Sequence, residues 1–128
     1  PSAPAGGGGG DGGSVVQLKV PPKTFLPSIG ETFPISIVSN PKSESETKLR
    51  IFDLEGRLVV TIFDSRFNGN PPSEIDDSRT PYMWDGRDAT SELVQAGMYI
   101  LQLSVVGIRS GDEENITAPV VVGTRLSN

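Results

Sequence analysis

From Val15 onward, apolar and polar residues alternate with a period of two. Val16, Leu18 and Val20 fall on one side of an extended chain and Gln17 and Lys19 on the other, until Pro21-Pro22 stops the run. Phe33, Ile35 and Ile37 alternate with Pro34, Ser36 and Val38, and Pro34 predicts a sheet edge because proline has no N–H for a ladder. Leu49 and Ile51 alternate with Lys48 and Arg50. Asp53-Leu54-Glu55-Gly56 is a tight turn leading into 57–63, so these two runs predict a β-hairpin. A short strand is expected at Tyr82-Met83-Trp84. The clearest strand has Tyr99, Leu101, Leu103 and Val105 alternating with Ile100, Gln102 and Ser104. A polar loop over 107–115 precedes a final strand over 116–122.

Helical periodicity is absent. The window 88–95 has room for one helical turn, but its polar residues and Gly97 predict a loop. About seven short strands with regular turn signals predict an all-β sandwich of the immunoglobulin/fibronectin-III-like class. An up-and-down barrel fits this length less well. Two segments stand outside the alternation. Residues 1–14, PSAPAGGGGGDGGS, have no side chains to bury and read as a linker or tail, which leaves 15–128 as the single domain. Residues 64–81 form a long polar connection containing Asn68-Gly69-Asn70-Pro71-Pro72, expected to be functional or an insertion.

Composition narrows the chemistry. The 128 residues include no Cys and no His, which removes thiol nucleophiles, imidazole acid–base catalysis and the commonest transition-metal ligands. The net charge of −5 is dispersed and the basic residues never cluster, so nucleic acid is not an expected partner. No apolar run approaches the roughly 18 residues of a membrane-spanning helix; 14–20 is short and broken by Gln17 and Lys19. A first residue of Pro in place of Met is what a processed or excised product would show.

Three stretches, Leu49-Arg-Ile-Phe-Asp-Leu-Glu-Gly-Arg-Leu-Val59, Trp84-Asp-Gly-Arg-Asp88 and Gln95-Ala-Gly-Met-Tyr-Ile-Leu101, resemble in order and spacing the Ig-like domain family named after the flagellar hook-capping protein. The likeness spans about residues 15–122, with a longer connection before Trp84 than is usual there. It implies a module of a secreted or cell-surface bacterial protein, and some similar modules act as C-terminal signals for type IX secretion. Each motif residue also has an expected folding role. Gly56 suits a turn position with positive φ. Trp84 fills or caps the core, and Asp85-Gly86 is a turn pair. Gly97 admits an unusual backbone before the strand. Tyr99 turns its ring inward with its hydroxyl on a loop carbonyl, after the manner of the tyrosine corner.

Candidate sites are few. The Gly6–Gly13 run lacks the preceding strand, the Lys-Ser/Thr end and the following helix of a phosphate loop. The carboxylates Asp53, Asp64, Asp76, Asp77, Asp85, Asp88 and Glu92 fall mostly in turns, with no apolar setting to raise a pKa for acid catalysis. Calcium is the most reasonable metal for such oxygens, but the spacing lacks the alternation of an EF-hand loop. No catalytic, cofactor-binding or metal-binding residue is therefore assigned. Phe52, Phe63, Phe67 and Tyr82 are the spare rings for a carbohydrate platform, although core or subunit packing accounts for them better. Asn115-Ile116-Thr117 has the form of a glycosylation sequon.

The expectation is a non-enzymatic structural or interaction module, extracytoplasmic, binding protein neighbours through strand edges, the Phe67–Tyr82 loop and the Gly-rich tail. The alternatives are a C-terminal sorting signal for type IX secretion and a carbohydrate-binding module.

Overall fold

The computed structural model describes residues 15–41, 43–73 and 82–124; the Gly-rich segment 1–14 and the carboxylates Asp76 and Asp77 lie outside the described residues. Among the described residues, seven strands make two antiparallel sheets: β1 (Val15–Lys19), β2 (Phe33–Asn40), β3 (Ser45–Asp53), β4 (Leu58–Asp64), β5 (Tyr82–Trp84), β6 (Gly97–Gly107) and β7 (Glu113–Val122). One sheet has the order β1-β2-β5 and the other β4-β3-β6-β7. The chain changes sheet between β2 and β3, between β4 and β5, and between β5 and β6. The result is a β-sandwich of the immunoglobulin/fibronectin-III-like class.

The inward halves of the alternating runs meet as the core. Phe33, Ile35 and Ile37 from one sheet pack with Leu49, Ile51, Phe63, Leu101, Leu103 and Val120 from the other, all at most 2% exposed. Four rings run through the layer: Phe25 lies 5.4 Å from Phe33 and 5.5 Å from Trp84, and Trp84 meets Tyr99 edge-on at 6.1 Å. The polar pair in this interior is self-satisfied, Ser39 Oγ lying 3.1 Å from Thr47 Oγ1.

Two sequence expectations change, and one left open is decided. Pro34 is not on an edge strand. β2 is the middle strand of its sheet, but β1 pairs only with 36–40 and β5 only with 33–35. Extending the β1 register would set Pro21 opposite Pro34, so neither proline interrupts a ladder. Phe63 takes the core position favoured for it over a carbohydrate platform. The register shift between Leu49 and Arg50 sets Phe63 opposite the inward Leu49, at 2% exposure. The last strand begins at Glu113 rather than Ile116, because pairing with β6 carries charged residues into it.

Phe25 had no periodic neighbours to announce it. It bridges to Val122 in parallel, its N–H donating to Val121 O at 2.8 Å and its carbonyl accepting from Gly123 N at 2.9 Å. This contact fastens the segment after β1 to the far sheet.

Candidate functional site

The three motif stretches converge at one end of the sandwich. In the β3–β4 turn, Asp53 Oδ1 accepts from the N–H groups of Glu55 and Arg57, both at 2.9 Å, and Oδ2 accepts from Arg57 Nε at 2.9 Å. Gly56 holds φ +85° there, in the left-handed region that glycine enters without strain. Beside it, 86–94 folds back on itself, Asp88 N donating to Glu92 O and Val94 N to Gly86 O. Gly86 lies against Pro27, where any Cβ would collide with the proline ring. Ala89 N donates to Val59 O at 3.1 Å, fixing this loop to β4. Trp84 is 1% exposed beneath it, with Nε1 donating to Arg87 O at 3.0 Å. Tyr99 lies at the start of β6, ring inward, and its hydroxyl donates to Gln95 O at 2.7 Å. That is the tyrosine-corner arrangement.

Between the turn and the loop lies an open cleft of about 540 Å³, lined by Asp53, Arg57, Leu58, Asp88, Glu92 and Tyr99 among others. Its chemistry is that of fixed anions. The Arg57 backbone N–H, with the Arg57 guanidinium, holds the Asp53 carboxyl below its ordinary range. The Thr90 hydroxyl, followed by the Glu92 and Thr90 backbone N–H groups, does the same for Asp88. A general acid needs the opposite shift, which burial without donors supplies. Burial raises the Tyr99 phenol, so it stays protonated as the donor its bond to Gln95 requires.

Asp64 and Asp85 each accept from the backbone N–H two residues on. Asp64 caps the single helical turn α1 (Ser65–Asn68) through Arg66 N at 3.0 Å and forks onto the Arg66 guanidinium at 3.2 and 2.9 Å. The Arg66 side chain lowers its pKa to about 2. Asp85 accepts from Arg87 N at 3.0 Å. Among the described residues, no three His, Cys, Asp or Glu side chains gather as metal ligands.

The aromatic candidates do not form a platform. Phe63 is in the core with Tyr82 packed on it at 5.2 Å. Phe52 lies half-buried on the outer sheet face beneath Arg50, whose guanidinium carbon is 5.3 Å from the ring centre. Phe67 alone of the four projects, 79% exposed beside Arg66. The sheet edges are partly closed. Phe25 covers the end of β7, Pro119 offers no N–H, and Ala89 occupies part of β4.

Sequence reasoning also missed a surface. On the outer face of the four-stranded sheet, register places Leu58, Phe52, Ile100 and Pro119 in one row across all four strands. Met98 and Val121 stand side by side in the next row, with Leu54 in the adjoining turn. The residue types were visible along the chain, but their adjacency depends on which strands pair.

No family model matches the chain, and neither does any curated protein. Solved structures do match. Dimeric latent PorU from Porphyromonas gingivalis superimposes with a TM-score of 0.60 at 19% identity, covering 96% of this chain and 10% of PorU. PorZ, a surface component of the type IX secretion system of the same organism, matches with a TM-score of 0.40 at 19% identity over 83% of this chain and 11% of PorZ. The chain thus spans about a tenth of either protein, and the PorU likeness is one of fold.

Proposed function

We propose that this chain is a non-catalytic β-sandwich module of an exported bacterial protein, of the hook-capping Ig-like kind, that serves export through a type IX secretion system. The observation carrying this reading is the PorU fit, in which nearly all of this chain matches a small part of a much longer polypeptide. The motif residues support it independently. Those resembling a family with secretion-signal relatives build a rigid end to the sandwich, with the turn of Asp53, the indole of Trp84 and the hydroxyl of Tyr99 each spent on a backbone partner. A carboxylate held ionised by its own turn suits a recognition surface better than acid catalysis. The general docking role fits the same fold, but it accounts less well for the motif than the secretion reading does.

The test is export of a reporter. A periplasm-targeted fluorescent protein carrying this chain at its C-terminus, expressed in a bacterium with a type IX system, should reach the cell surface or medium. Removing a component of that system should return it to the periplasm. Retention in the periplasm of the intact strain, with the module folded, would overturn the reading.

A further inference from the structure

The outer face of the four-stranded sheet is divided into two halves. At the end nearest the β3–β4 turn stand the row Leu58–Phe52–Ile100–Pro119 and, beyond it, Met98 beside Val121. Leu58 is 54% exposed, Met98 45%, Val121 42% and Leu54, in the turn, 64%. Toward the other end the next row is polar, Thr61–Arg50–Gln102–Thr117. Exposed apolar side chains set side by side across paired strands, and not scattered singly, mark an interaction site.

Arg50 identifies what fits there. Its guanidinium rests on the Phe52 ring and donates to Gln102 Oε1 at 3.0 Å, while its buried Nε has no partner. Arg57, Arg66 and Arg87 each pair with a carboxylate, whereas Arg50 pairs with none among the described residues. A pre-positioned guanidinium beside exposed apolar side chains calls for an apolar surface carrying a carboxylate. The chain itself presents one. Leu54-Glu55 projects at the tip of the β3–β4 turn, with the Glu55 side chain 70% exposed and paired, among the described residues, with the similarly exposed Arg57.

We propose that this face binds a second copy of the chain, sheet against sheet, about a twofold axis lying across the strands at their apolar end. Such an axis reverses strand direction, so the apolar rows of the two copies oppose one another. It also sets Arg50 of each copy opposite the turn that carries Glu55 in the other. An axis along the strands instead would bring the polar row of each copy against the same row of its mate. Face-to-face packing also needs no free strand edge, in keeping with the partly closed edges of β4 and β7. The inference rests on the sheet face alone and not on the export reading.

Sedimentation velocity of the chain over a rising concentration series tests it. A reversible monomer–dimer equilibrium is expected, with Leu58→Lys abolishing the dimer. Arg50→Glu and Glu55→Arg should each weaken it by roughly tenfold, and the double reversal should recover most of that loss. Circular dichroism of each variant establishes that it is folded, and Lys23→Glu, a charge change at an exposed position off this sheet, should leave the equilibrium unmoved. A wild-type chain that stays monomeric throughout the series would overturn the proposal and leave the face to a different protein. So would a dimer indifferent to Leu58→Lys, or a double reversal as weak as the single ones.

Discussion

At the scale of single residues, the motif consists of groups whose polar atoms are satisfied locally while their apolar parts fill the core. Trp84 is the largest. Truncating it leaves a void between Phe25 and Tyr99 and strips the Arg87 carbonyl of its donor. Trp84→Ala should therefore cost about 3–5 kcal/mol, read as a shift of the urea midpoint. A loss under about 1 kcal/mol, as for an ordinary surface change, would contradict the burial. Asp64 gives a pH dependence with a definite sign. Its folded pKa of about 2 lies below the ordinary 3.8, because Arg66 donates to the ionised form. Its contribution is complete above pH 4 and is lost as pH falls from there through about 2. Asp53 and Asp88 are lowered too and add to the same acid slope. Asp64→Asn should flatten the decline in urea midpoint between pH 5 and pH 2; an unchanged slope would show that the Arg66 fork does not form in solution.

At the scale of elements, the strands differ in how they are held. β6 is paired on both sides, with β3 from Gly107 to Tyr99 and with β7 from Gly97 to Val106, and its inward side chains are buried. β1 is an outer strand joined to β2 over five residue pairs, and its side chains are half-buried or exposed. Amide hydrogen exchange should be slowest in β6 and much faster in β1, whose opening leaves most of the core intact. Equal protection of the two would mean that the domain opens only as a whole. Alternation alone identified the strands around these elements, because the inner and outer faces of a half-buried strand differ in polarity. It failed where pairing slips. The slip between Leu49 and Arg50 skips Ile62, so Val60 and Phe63, three positions apart, both stand opposite inward residues, Ile51 and Leu49, and such a slip leaves no mark in the residues themselves.

At the scale of the whole molecule, the sandwich is closed by contacts distant in sequence. Phe25 joins the segment after β1 to β7, and the four-ring chain from Phe33 to Tyr99 ties the two sheets together. A module built this way is rigid at the motif end, and its broad exposed surface is the outer face of the larger sheet. Both suit the export role proposed above, under which the reporter experiment should find the module sufficient for passage to the surface.

What the residues determined by themselves is what depends on near neighbours. The period-two alternation set the strands and the all-β class. Asp53 through Gly56 set the hairpin turn, since the carboxylate accepts from N–H groups two and four positions on and the glycine between them takes the positive φ. Tyr99 and Gln95, four positions apart, set the corner. Tertiary structure decided the rest: that β2 is a central strand despite Pro34, that Phe25 and Phe63 are core rings, and that Leu58, Phe52, Ile100 and Pro119 stand in one row beside an arginine with no carboxylate partner among the described residues. Each of these depends on which strands pair and in what register, a choice made by burying the whole apolar set at once and not by any short stretch of chain.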